Sequence, residues 1–213
     1  MTLTSVVGCG FAAAVTISCV RHLRANGIRE DILVFKGRSC RDWAEILVGN
    51  ILAIAFVSGF YPLAQLGPKW LQSVLNFSWI QLLASKGENA VGANQMVFGG
   101  ATIPFFGPIF ILLLILNLPR LAAAEEEEFR DGTKNWWHAV PRSLTFGLMH
   151  MIVGVPLWLG LALAIPGMWF TRQYFKGGLT RSTMAHSLYN FMIALPLFVW
   201  VTVLNFTANH AIK

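Results

Sequence analysis

Four side chains in the second half of the chain carry groups that can handle a water molecule: Glu125, His150, His186 and Asn190. Glu125 opens the pattern Glu-Glu-x-x-x-Arg, in which Glu126 and Arg130 stand four residues apart. On a helix this spacing puts Glu126 and Arg130 on one face, where they can pair, and turns Glu125 about 100° away. Phe146 precedes His150 by four residues, and His186 precedes Asn190 by the same interval. A carboxylate near an imidazole can take a proton from water, and an imidazole or amide N–H can stabilise an oxyanion. Glu125, His150 and His186 could equally ligate a divalent metal such as zinc, so chemistry with and without a metal both fit the residue types. Each motif also has a plainer reading: a solvated juxtamembrane helix for the glutamates, a histidine bonded to a neighbouring helix, and interhelical glue for His186–Asn190. Three functions stay open on the residues alone: a hydrolase, a non-catalytic membrane scaffold or immunity-type protein, and a small ion-binding transporter.

The surrounding chain makes these residues unusual. Of 213 residues, 55% are hydrophobic and 12% charged, against about 25% charged in a soluble domain. The charges are bunched. Runs 1–20, 46–68, 89–119, 143–171 and 182–212 contain no Asp, Glu, Lys or Arg, and each is long enough to hold the roughly 20 apolar residues that cross a hydrocarbon core. The sequence predicts one all-α integral membrane domain over 1–213, a multi-span bundle of about five to seven helices, some short or broken. Ionisable groups inside such spans are costly and normally face the bundle interior or a water cavity.

The first span, roughly 3–20, reads as a retained anchor, since no basic stretch precedes it and Arg21, His22 and Arg24 follow it directly. Six of the sixteen basic residues lie in the next loop, 21–43. That asymmetry places the loop in the cytoplasm and the N-terminus outside, and it accounts for the net charge of +6 without a nucleic-acid partner. Cys9, Cys19 and Cys40 are odd in number and form no Cys-x-x-Cys, so neither a disulfide framework nor a zinc knuckle is expected.

Trp43 should anchor the start of span two, roughly 44–66. The pattern Trp70, Leu71, Val74, Leu75, Trp79, Leu82, Leu83 predicts an interfacial helix within 69–86, followed by a loop over 86–96. Span three, roughly 98–118, should be bent by Pro104 and Pro108. The glutamate run continues from it and ends at Asp131-Gly132. Residues 133–142, with Trp136 and Trp137, read as a short amphipathic connection. The run 143–171 should form two helices meeting near 154–156, where Gly154 and Pro156 fall. Arg172, Lys176 and Gly177-Gly178 mark a turn before the last span, roughly 180–206.

The order EExxxR, FxxxH, HxxxN resembles the CPBP family of intramembrane proteases, which includes the type II CAAX prenyl proteases and is also called the Abi family. The likeness rests on AEEEEFRDG at 124–132, SLTFGLMH at 143–150 and GGLTRSTMAHSLYN at 177–190, with LGLALAIPGMWF between the second and third motifs. It covers about 121–192, within a family-like core of about 98–207, and no motif matches in 1–97. The resemblance implies that Glu125 is the base that activates water, helped by His150, that His186 and Asn190 form an oxyanion hole, and that Glu126 and Arg130 support the helix carrying Glu125. It implies a peptide or membrane-protein substrate, a multi-pass location in a prokaryotic cell membrane, and either a divalent metal or none. The chain departs from the family pattern at Glu127 and Glu128, where apolar residues are usual, and at Asp131, where a glycine often follows the arginine. Carboxylates buried side by side would disfavour one another's ionisation, so the depth of this helix end is the open point.

Overall fold

In a computed structural model of the chain, residues 3–25, 27–78, 96–98, 101–103 and 106–210 are described below. The architecture is all-α: α1 (Leu3–Arg24), α2 (Gly27–Phe35), α3 (Cys40–Gln65), α4 (Lys69–Leu75), α5 (Phe106–Arg130), α6 (Trp136–Met149), α7 (Leu157–Ala162) and α8 (Ala164–His210). Among the described residues there is also a ribbon of two three-residue strands, β1 (Met96–Phe98) and β2 (Ala101–Ile103), paired antiparallel with Met96 opposite Ile103. Three stretches among the described residues are long and apolar enough to cross a membrane: Cys40–Gln65, Pro108–Arg130 and Leu157–Val203. Their polarity is inverted relative to a soluble protein. On α3, Val48, Ile51, Leu52 and Phe56 are exposed while Asn50 is fully buried, as expected where lipid rather than water is the outer solvent.

Several boundaries differ from the sequence reading. The loop 21–43 contains α2, and α3 already starts at Cys40. Ser39 explains that start: its Oγ accepts from the Asp42 N–H at 3.1 Å, and Asp42 Oδ2 accepts from the Ser39 N–H at 3.3 Å, a reciprocal cap. Trp43 is half-buried and stacks on Phe35 at 6.0 Å. Of the helix expected within 69–86, the described part is α4, which ends at Leu75; positions 79–95, including most of the expected 86–96 loop, lie outside the described residues. Positions 98 and 101–103 belong to the ribbon, so the third span begins at Phe106 and runs unbroken to Arg130. Pro108 falls in its first turn, where no backbone donor is needed and no bend results; Pro104 is outside the described residues. The connection expected over 133–142 is shorter, because Asn135 accepts from the His138 N–H at 3.0 Å and caps α6 there.

The break expected near 154–156 is present: α6 passes into a 3₁₀ turn, His150–Val153, Gly154 takes a φ of 90°, and α7 starts after Pro156. Gly132, with a φ of 70°, closes the glutamate helix. The expected turn near 177–178 is a kink within α8. Gly177 and Gly178 leave helical geometry and divide α8 into arms 164–176 and 179–210.

Contacts group the chain into two bodies. One takes in Met1–Glu30, Leu82–Leu118 and Asn190–Lys213. Its core is Ile115, Leu118 and Ala194, and Asn117 links α5 to α1 by accepting from Ser18 at 3.3 Å. The other takes in Asp31–Gln81 and Pro119–Tyr189. Its core is Ile46, Ala53, Phe146, Phe170, Met184, Ala185 and Tyr189. In this second body α6 and α7 touch backbone to backbone: a Cβ on Gly147 would lie 2.1 Å from the Gly160 carbonyl oxygen. Asn50 ties α3 to both arms of α8, donating to the Ala185 carbonyl at 2.9 Å and accepting from Trp169 Nε1 at 2.9 Å.

Gly178 has φ 66° and ψ −166°, a region open essentially to glycine alone. Nothing lies within 4 Å of a Cβ built there, so the penalty for a side chain is purely one of backbone. Gly178→Ala is expected to destabilise the protein by about 1–3 kcal/mol. Gly59→Ala, in α3 and equally uncrowded, should hold or raise stability by up to about 1 kcal/mol. Unfolding in detergent by denaturant titration measures both.

Candidate functional site

The site forms in the second body around the last two turns of α5. Glu126 and Arg130 are both fully buried, and their separation of 3.5 Å between Oε2 and Nε confirms the shared helix face. The second arm of α8 supplies the other partners. His186 Nδ1 lies 2.9 Å from Glu126 Oε1, and Ser182 donates to Glu126 Oε2. The Ser182 Oγ also lies 3.0 Å from the Phe170 carbonyl, but its single proton is better used on the charged acceptor. Glu126 therefore has both oxygens taken, by groups from two helices.

Arg130 is held differently. None of its three guanidinium nitrogens makes a hydrogen bond. Instead its Cζ sits 4.6 Å from the Phe146 ring centroid, 5.9 Å from that of Phe170 and 6.0 Å from that of Phe129. A desolvated guanidinium against aromatic faces gains cation–π attraction of about 2 kcal/mol. The same rings fix His186, which stacks on Phe170 at 4.4 Å and 17° and meets Phe146 edge-on at 5.4 Å. Phe146 is thus the common wall of the cluster, a larger role than its place in the FxxxH spacing suggests.

Glu125 stands at the edge. Its side chain is 36% exposed, and its Oε2, which is buried and free of hydrogen bonds, lies 3.6 Å from His186 Nε2. Glu125 and His186 are the two candidate residues brought together directly. His150 joins through Phe146, whose ring it meets at 4.9 Å. Its Nδ1 donates to the Phe146 carbonyl at 2.9 Å, and no hydrogen bond connects it to either glutamate. Asn190 is half-buried and lies at the start of the other body, four residues past His186 in α8. Glu127 and Glu128 are exposed, so they do not share the buried space of Glu126.

Among the described residues no group of three His, Cys, Asp or Glu is arranged to hold an ion. The Nδ1 contacts of His186 with Glu126 and of His150 with the Phe146 carbonyl leave Nε2 of each ring to face other groups, and Glu126 is held by Arg130 and Ser182. What remains is a half-exposed carboxylate beside an imidazole nitrogen, an arrangement suited to moving a proton.

Support for this arrangement comes from residues outside the motifs. Arg181, three residues past the kink, pairs with Asp42 and Glu45 at the start of α3, and Lys176, on the near side of it, pairs with Glu45. Gln173 accepts from Arg181 Nε at 2.8 Å. These contacts fasten both sides of the kink to α3 and set the direction in which Ser182 and His186 approach Glu126. Two of the positioning residues had a signal in the sequence. Ser182 is one helical turn before His186 on the same face, and Asn50 is the lone Asn in the charge-free run 46–68.

Comparison with protein-family models, with curated proteins and with solved structures gives no match.

Removing the buried carboxylate should expose how much rests on it. Glu126→Ala strands a buried guanidinium and the His186 Nδ1–H, and is expected to cost about 3–5 kcal/mol. The double variant Glu126→Ala/Arg130→Met should recover much of that loss, giving a clearly non-additive double-mutant cycle in denaturant unfolding.

Proposed function

We propose that the chain is a membrane-embedded endopeptidase of the CPBP, or CAAX protease-like, type, hydrolysing a peptide bond with a water activated by Glu125 and histidine. The observation that carries this reading is the half-exposed Glu125 carboxylate, 3.6 Å from His186 Nε2, seated on the buried Glu126–Arg130 pair. In this reading Glu125 takes a proton from water, and the resulting hydroxide adds to the scissile carbonyl. His186, whose Nδ1 already donates to Glu126, takes that proton from Glu125 at Nε2 and offers the resulting Nε2–H to the oxyanion. Collapse of the intermediate breaks the C–N bond as the proton passes from His186 Nε2 to the leaving amine. His150 is the second imidazole of the site, its Nε2 left available because Nδ1 is bonded to Phe146.

The geometry also favours a side of the membrane. The start of α3 and the kink of α8 are joined by the Arg181–Asp42 and Arg181–Glu45 pairs, so the site lies toward the end of the second body at which α3 starts. Lys36, Arg38 and Arg41 lead into that helix; with the basic loop cytoplasmic by the positive-inside tendency, this reading puts the site toward the cytoplasmic side of a prokaryotic membrane, with a peptide or membrane protein as its substrate. A second reading draws on the same cluster: every polar atom of Glu126 is satisfied from within, as in a scaffold whose polar residues only hold helices together.

Glu125→Gln separates the two. Purified protein in liposomes is incubated with membranes from the producing organism in ¹⁸O-labelled water, and new C-termini carrying the label are identified by mass spectrometry. The peptidase predicts labelled termini with wild type and a loss of about 10²-fold or more with Glu125→Gln, at unchanged unfolding stability. Full cleavage by the variant overturns the assignment. A fall in stability in place of activity supports the scaffold.

A further inference from the structure

His186 has two neutral tautomers, and its neighbours select one. A carboxylate accepts and does not donate, so the 2.9 Å contact with Glu126 Oε1 places a proton on Nδ1. Nε2 is then the nitrogen left to face Glu125. This selection holds only while Glu126 keeps its carboxylate in the plane that meets Nδ1. Arg130 holds it loosely: Nε is 3.5 Å from Oε2, too long for a strong hydrogen bond, and the guanidinium otherwise lies among phenylalanine rings. Ser182 makes the direct hydrogen bond to that oxygen. It is fully buried and stands four residues before His186 on the same helical arm. The two side chains therefore approach Glu126 from one face, one gripping each carboxylate oxygen.

We propose that Ser182 is a positioning residue: with His186 it clamps Glu126 so that His186 keeps its proton on Nδ1 and presents Nε2 to Glu125. The consequence for catalysis rests on the peptidase reading of Glu125 and His186; the consequence for the imidazole does not. Ser182 acts through Glu126 and does not touch the reacting atoms.

The test compares wild type, Ser182→Ala and Ser182→Thr, each labelled with ¹⁵N-histidine in detergent micelles. The His186 resonances are assigned by their loss in His186→Gln. Nitrogen shifts report which ring nitrogen carries the proton. Wild type is expected to show Nδ1–H, Ser182→Ala a mixture of tautomers, and Ser182→Thr, which keeps the hydroxyl, the wild-type pattern. Ser182→Ala adds no bulk, so folding is retained, and its kcat should fall about tenfold, as for loss of one hydrogen bond to a charged group, with KM little changed and with recovery in Ser182→Thr. A wild-type His186 with its proton on Nε2 alone overturns the proposal, as does an unchanged tautomer in Ser182→Ala. Should wild type cleave nothing while the tautomer still shifts in Ser182→Ala, the peptidase reading fails and the clamp stands.

Discussion

A carboxylate with no water around it must be answered by protein on every side, and Glu126 is that carboxylate. It is fully buried in α5, and three groups meet it: Arg130 from its own helix, and Ser182 and His186 from the second arm of α8. The attraction between such charges in an apolar interior is large, but so is the cost of taking them out of water. The pair survives only with good geometry and further hydrogen bonds. The position of α8 against α5 is therefore set more tightly here than apolar packing could set it, because lipid is as good a solvent for leucine as a helix neighbour is.

The rest of the second body follows from that demand. An uninterrupted helix from Ala164 would not turn Ser182 and His186 toward α5 as the kink at Gly177 and Gly178 does. A kink alone would be loose, and the ion pairs from Lys176 and Arg181 to α3 remove that freedom. Asn50 completes the frame by bonding both arms of α8. Close contact of Gly147 with Gly160 keeps α6, and with it Phe146 and His150, near the same cluster. Polar contacts fix direction and aromatic rings fill the volume. Phe146 and Phe170 serve both ends, facing the Arg130 cation and the His186 ring.

Much of this was legible in the sequence, and the reasons for the remainder are physical. Charge-free runs pointed to the three long apolar stretches Cys40–Gln65, Pro108–Arg130 and Leu157–Val203, because lipid excludes charge along a whole segment, a signal that survives errors of several residues. The Glu126–Arg130 pair was legible because four-residue spacing is a local property of a helix. The break near Gly154 and Pro156 was legible because those residues act on the backbone itself. What was not legible depended on partners distant in sequence. The four-residue step from Ser182 to His186 shows a shared helix face but not Glu126 opposite it, and nothing in the sequence joins Asp42 to Arg181. The start of the third span was misplaced for a related reason: Phe98 and Ala101–Ile103 lie in a charge-free run, but they belong to two short strands that pair with each other.

The glutamate run shows how burial divides residues of one type. Four consecutive carboxylates on a helix must point in four directions, so they cannot share one environment. Glu126 faces inward and meets its partners, Glu125 stands at the boundary, and Glu127 and Glu128 face outward. The mutual repulsion expected of a buried run does not arise, since one of the four is enclosed. The two outer carboxylates lie in the last turn before Gly132, near the helix C-terminus, where negative charge opposes the helix dipole by about 0.3–1 kcal/mol each. Such a penalty is small beside the cost of burying a charge in the span. Glu125 is then the one carboxylate of the four that is partly exposed and also reaches the buried His186 ring.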